Sequence, residues 1–156
     1  DPEFRMMIGS TEPMSESDAE KWFARIEKED SRAWYVIVLD EDDRVIGEAG
    51  LIRMFPLWRT TDMSIVIGER DCWRKGYGRE TGRLLLDLAF NYFGMHRVAI
   101  GVVGFHEQAL SFWKSLGFRQ EGVQRDGYFH NGGFHDFVMM SLLEDEWRAT
   151  QGGRTS

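Results

Sequence analysis

Apolar residues along this chain recur with two spacings, the alternation of strands and the three-to-four-residue step of helices, and the switches between them outline a mixed α/β protein. Ser15 to Glu29 reads as a helix, with Ser15 and Asp18 placed as an N-terminal cap and Trp22, Phe23 and Ile26 as its apolar stripe. Trp34 to Leu39 and Arg44 to Met54 read as two strands joined by the acidic turn Asp40-Glu41-Asp42-Asp43, hence a hairpin. Pro56 and the polar Arg59-Thr60-Thr61 mark a turn before another strand, Met63 to Ile67. A helix is predicted from Arg79 to Phe93, with Leu84, Leu85, Leu88, Ala89 and Tyr92 on one face. Arg97 to Val103 is apolar on both faces, the pattern of a central strand covered by helices. Asn131-Gly132-Gly133 is a hairpin turn between two final strands, and Arg148 to Ser156 is polar and without periodicity. The expectation is one domain over residues 1–147 and a flexible polar tail over 148–156.

The stretch Gly68-Glu69-Arg70-Asp71-Cys72-Trp73-Arg74-Lys75-Gly76-Tyr77-Gly78-Arg79 lies between a strand and a helix and carries the first chemical signal. The first turn of a helix has N–H groups without intrahelical partners, and the helix dipole adds partial positive charge there. Gly76 and Gly78 let a ligand approach the backbone, and Arg74, Lys75 and Arg79 add full charges. These parts describe a site for a phosphate or pyrophosphate; the plain alternative is a strand-to-helix turn with solvated cations. No Gly-Lys pair occurs, so the loop is not a P-loop. Thr81 stands where the dinucleotide fingerprint needs its third glycine.

Composition narrows the class. The chain has 156 residues, 42% hydrophobic and 29% charged, with net charge −7, which disfavours a nucleic-acid surface and suits a cationic small substrate. One cysteine, Cys72, excludes an internal disulfide and fits a reducing cytoplasm. No signal peptide is visible in these residues, and no apolar run approaches the roughly 20 residues that span a bilayer. A cytoplasmic protein without nucleic-acid or membrane partners, monomeric or homodimeric, is expected.

Four segments, taken in order, resemble the GNAT superfamily of acetyl-CoA-dependent N-acetyltransferases, in the branch that includes ribosomal-protein-alanine and spermidine acetyltransferases. Trp73-Arg74-Lys75-Gly76-Tyr77-Gly78 is similar to the Gln/Arg-x-x-Gly-x-Gly/Ala signature, with an aromatic residue in first place. Leu84 to Phe90 and the strand Arg97 to Val103 follow; Phe105 to Phe118 then resembles the Asn-x-x-Ala-x-x-x-Tyr-x-x-x-Gly-Phe helix. Gly127 to Asp136 is similar to the terminal hairpin, and Glu146-Trp147 to its end. The resemblance implies an α/β fold with a mostly antiparallel, twisted mixed sheet, splayed at its middle strands and flanked by helices. Asp1-Pro2-Glu3-Phe4 reads either as a cloning scar or as the loop after the family's first strand, which would leave an edge strand outside the numbered chain.

The resemblance also implies acetyl-CoA as co-substrate, with no metal. The pantetheine arm would pair with the backbone around Val66, Ile67 and Gly68. Amides from Arg74 through Lys75, Gly76, Tyr77 and Gly78 to Arg79 would hold the pyrophosphate, and a neutral amine would attack the acetyl carbonyl directly. A backbone N–H of the Met63–Ile67 strand would serve as oxyanion donor. Two positions depart from the family. Trp113 replaces the tyrosine that protonates the thiolate, and an indole N–H is no acid at neutral pH, although water can protonate a thiolate whose thiol titrates at about 8.5. His106 replaces a cofactor-contacting asparagine and can donate in its stead. The plain roles are helix core for Trp113 and helix cap for His106.

Asp62 and Glu48 are the base candidates. Asp62 precedes the strand where this branch carries glutamate, and Glu48 interrupts an apolar strand; the alternatives are a solvated turn and an exposed strand position. His135 and Asp136 on the last hairpin either face substrate or solvent. His130 and His135 lack a ligand-spaced cluster, so no metal site is read. Cys72 reads as a small filler residue. Residues 7–29 and 54–62 would line the acceptor side. Two functions follow: acetyl transfer to a primary amine (protein N-terminus, polyamine or aminated small molecule), or a non-catalytic acyl-CoA-binding module on the same scaffold.

Overall fold

The computed structural model describes residues 15–152 except 27 and 29. The Asp1–Phe4 stretch, residues 7–14 of the expected acceptor segment and the last four residues of the expected tail lie outside it. The chain runs through α1 (Glu16–Ile26), β1 (Ala33–Val38), β2 (Val45–Phe55), β3 (Thr60–Ile67), α2 (Tyr77–Asp87), β4 (Arg97–Val103), α3 (Glu107–Ser115), β5 (Arg119–His130), β6 (Gly133–Leu143) and α4 (Glu144–Gly152). Among the described residues six strands form one mixed sheet in the order β1-β2-β3-β4-β6-β5. Only β3 and β4 are parallel; every other pairing is antiparallel.

Residues opposite one another in these ladders share a face, so the register sorts the side chains into two sets. Ala49, Leu51, Met63, Val98, Ile100, Val102, Val138, Met140 and Leu142 project to one side. There they join Leu85, Leu86, Ala89 and Phe90 of α2 and its extension, Trp113 of α3 and Trp147 of α4 in one core. The other side carries Trp34, Glu48, Asp62, Ser64 and Val66 on the first three strands, and Gly101, Val103, Tyr128, His135 and Phe137 beyond. Trp22 of α1 packs edge-on against Trp34 on this second face, with ring centroids 5.7 Å apart.

Local chemistry sets the helix ends. The Ser15 hydroxyl accepts from the Asp18 N–H at 3.1 Å and donates to its carboxylate at 2.6 Å, so the expected cap is formed. α2 differs from its expected face. Gly82, Leu85, Leu86, Ala89 and Phe90 are buried, whereas Leu84 and Tyr92 are 63% and 77% exposed. The buried residues step at i, i+3, i+4, i+7 and i+8, a stripe rotated from the one that the leucines suggested, and a π-helical turn over Leu88–Tyr92 ends it. α4 runs through Arg148 to Gly152, within the stretch expected as a flexible polar tail. Trp147 anchors its buried side, and Arg148 bonds Glu144 one turn back at 2.8 Å.

Candidate active site

The β3–β4 pairing lasts three residues, Thr60↔Arg97 to Asp62↔Ala99, and then stops. From Met63 and Ile100 onward the two strands diverge around a cavity of about 700 Å³, walled by Met63–Ile67 on one side and Ile100–Val103 on the other. The walls come from both faces of the sheet: Ile65, Ile100, Phe112 and Trp113 from the helical side, Ser64, Val66, Tyr128 and Phe137 from the other. The cavity is therefore a slot through the sheet. A ring edge of Phe137 fills the space above Gly101, where a Cβ would stand 2.1 Å from it, so glycine at 101 lets the ring lie across the fork.

The glycine-punctuated loop closes one end of the slot. The Trp73 indole donates to the Ile67 carbonyl at 2.9 Å, which ties the loop to the end of β3 and gives the aromatic first position of the signature its physical role. Arg44 on the β1–β2 hairpin reaches Asp71 at 2.9 Å and the Cys72 sulfur at 3.4 Å, and holds the Asp71 carboxyl below the usual carboxylate range through that hydrogen bond. Cys72 is buried beside Leu39 and Ile46, as a filler residue would be. Arg74 and Gly76 take positive φ, 61° and 92°, and Gly76 is the N-cap of α2 without a side-chain cap bond. Alternating left-handed residues curl a backbone into a concave nest of amides, and the uncapped first turn of α2 extends it. Arg74, Gly76, Gly78 and Arg79 line the slot; Gly68, Lys75 and Tyr77 are outside its wall. An alanine Cβ at Gly78 would meet only ordinary contacts, 3.5 Å from Phe112.

Of the two departures from the family, each takes its plain role and also faces the slot. His106 caps α3, its Nδ1 accepting from the Ala109 N–H at 3.3 Å, which places the ring proton on Nε2 while the residue lines the wall. Trp113 is 8% exposed, edge-to-face with Phe112 and Phe118, and forms part of the same wall.

The base candidates stand one step away. Glu48 and Asp62 share the face opposite the helical core with Ser64 and Val66, yet neither lines the slot. Glu48 accepts from the Trp34 indole at 3.3 Å, and Asp62 is engaged by the Arg53 guanidinium. Farther along this face Arg97 and Glu121 form a bidentate ion pair, with the Ser141 hydroxyl donating to Glu121 at 2.9 Å. Asp136 is exposed and accepts from the Asp126 N–H at 3.1 Å. Among the described residues no group of three or more His, Cys, Asp or Glu gathers as a metal site would, and no helix is long and apolar enough to cross a membrane.

Sequence reasoning passed over Tyr128 and Phe137. Tyr128 reaches the slot because β5 shifts register between Gln124 and Tyr128. The signal that could have found it is Asp126-Gly127 inside a strand, a marker of a bulge.

Residues 1–119 match the family model described as an acetyltransferase (GNAT) domain. A Bacillus subtilis relative, named provisionally as a ribosomal N-acetyltransferase, is 38% identical over 73 residues, 47% of this chain and 40% of its own. The spermidine N(1)-acetyltransferase of Vibrio cholerae is 25% identical over 111 residues, 71% of this chain and 64% of its own. The matches thus span less than two thirds of either relative. The crystal structure of the Vibrio cholerae spermidine N-acetyltransferase with CoA and spermine superposes with a TM-score of 0.88 at 20% identity, covering 95% of this chain and 86% of that one, a likeness of fold.

Proposed function

The chain belongs to the GNAT acetyltransferase family, and we propose that it transfers the acetyl group of acetyl-CoA to a primary amine by direct attack in a ternary complex. The observation that carries this reading is the slot through the sheet, with an amide nest at one end and a carboxylate-bearing face on its far side. An extended thioester arm fits the free edge of β3 as an added strand, its carbonyls and amides meeting the backbone of Val66, Ile67 and Gly68. The amides and cations from Arg74 to Arg79 suit its pyrophosphate, and the Nε2 proton of His106 suits a carbonyl or phosphate oxygen. The acceptor would enter from the opposite face. There Glu48 and Asp62 attract an ammonium, and a carboxylate or a water beside it removes the proton that blocks attack.

A cationic amine is the preferred acceptor class, because Glu48 and Asp62 lie on the entry face and the whole chain carries net charge −7. That class covers polyamines, for which the Vibrio cholerae relative is named, as well as peptide N-termini. The non-catalytic reading gains no support from the slot's residues. The protein is proposed to work in the cytoplasm as a monomer or homodimer. Thiol release from acetyl-CoA should depend on an added amine, with spermidine or spermine faster than a neutral-tailed amine of equal length. Acetyl-CoA binding without turnover on any primary amine would refute the reading.

A further inference from the structure

Water aside, the slot's chemistry leaves one step without an agent from the protein. When the amine nitrogen has bonded to the acetyl carbon and the C–S bond breaks, the departing thiolate must gain a proton. Trp113 has no acidic proton to give. His106 accepts a backbone N–H at Nδ1 and is committed to capping α3. Cys72 is turned to Arg44 and Asp71, and a guanidinium such as that of Arg74 or Arg79 is a hydrogen-bond donor rather than a general acid. Ser64 and Gln108 also line the wall, but an aliphatic hydroxyl and an amide are far weaker acids than a phenol, which leaves Tyr128.

The Tyr128 hydroxyl is shielded from solvent and has no hydrogen-bond partner among the described residues, and the residue forms part of the wall of the slot. Buried hydroxyls are nearly always paired, and leaving one unpaired is costly unless something bound supplies the partner. The ring is held by neighbours: Phe105 at 6.3 Å and the stacked His130 at 6.1 Å, whose buried Nε2 also lacks a partner among the described residues. The bulge that aims Tyr128 inward is pinned where the Asp126 N–H, on a residue with φ 53°, donates to the Asp136 carboxylate. Tyr128 stands on the opposite face of the sheet from Trp113, across the same opening.

Resting on the acetyltransfer reading, we propose that the Tyr128 hydroxyl is the proton donor to the departing thiolate of the thioester, the task for which the α3 position offers only Trp113. The proton passes from the phenol to sulfur as the C–S bond breaks. The phenolate then takes the proton that the newly acylated nitrogen must shed, so the tyrosine returns to its starting form and no external acid is consumed. A phenol titrates at about 10 and a thiol at about 8.5, so the transfer is uphill by a factor of roughly thirty, within reach of a step that ends in proton recapture.

Tyr128→Phe tests this, because it removes an unpaired hydroxyl and leaves the packing in place. The expected result is a fall in kcat of about a hundredfold, with the amine KM and acetyl-CoA Kd within about twofold of wild type and a melting temperature equal or higher. Adding Trp113→Tyr to that variant puts a phenol on the opposite wall, and a folded double variant should recover at least a tenth of the activity. Unchanged kcat in Tyr128→Phe, a defect confined to amine KM, or a folded double variant as slow as Tyr128→Phe each overturn the donor role alone. A wild-type protein that binds acetyl-CoA yet acetylates no amine overturns the acetyltransfer reading, and the donor role with it.

Discussion

Single residues decide what the loop can hold, and the two glycines do so differently. Gly76 has φ 92° with open space around it, so a side chain there strains the backbone rather than colliding. Gly78 carries no such strain; a larger side chain there meets Phe112, Ile67 and the space where the nest opens. Gly78→Val should therefore weaken acetyl-CoA binding by at least about tenfold, near 1.4 kcal/mol, while the melting temperature stays within a few degrees. Gly76→Val should lose both affinity and stability. Retained affinity in Gly78→Val, measured by calorimetry, would remove the loop from the binding site. The loop itself was legible because glycines and cations cluster within twelve residues of sequence. The bond from Trp73 to Ile67 was not, since a side-chain N–H finding a backbone carbonyl six positions away leaves no mark in composition or period.

Elements of secondary structure were legible where the pattern is local. The Ser15 cap, the β1–β2 hairpin and the Asn131-Gly132 turn are each set by contiguous residues. α2 was only half legible: Leu84-Leu85-Leu86 gives three adjacent leucines, and which two are buried depends on the sheet beneath. The ion pair joining strands on the open face is wholly non-local. Arg97 of β4 holds the Glu121 carboxyl of β5 below its ordinary value of 4.5, with Ser141 of β6 assisting. Because the folded-state value is depressed, this stabilisation is complete above the unfolded value and is lost as the pH falls through the folded one. Both side chains are about a third exposed, so screening limits the pair to about 0.5–1 kcal/mol. Glu121→Gln should lower stability by that much at pH 7, and its gap to wild type should close as the pH drops below 4.5. Urea titrations at several pH values measure this. A gap independent of pH would mean that the pair adds nothing electrostatic.

At the scale of the whole molecule, function depends on a sheet that fails to close. Three bridges join β3 to β4 and then the strands part, giving a cavity with one wall from each face. The family resemblance supplied the splay as an expectation; hydrophobic pattern alone does not, because pairing partners distant in sequence are not encoded in either strand. The same limit hid Tyr128, whose place in the wall arises from a register shift in β5. Glu48 and Asp62 show the converse, since the register puts both on the face of the slot's far side without putting either in its wall. Function therefore rests on the slot and its amide nest more than on any one carboxylate. Calorimetric titration of the purified protein with acetyl-CoA, with ATP and NAD as controls, tests it most directly. The slot and nest together predict saturable one-to-one binding of acetyl-CoA that neither control reproduces. Equal binding of all three would reduce the site to a general phosphate cradle, and no binding of acetyl-CoA would contradict the account.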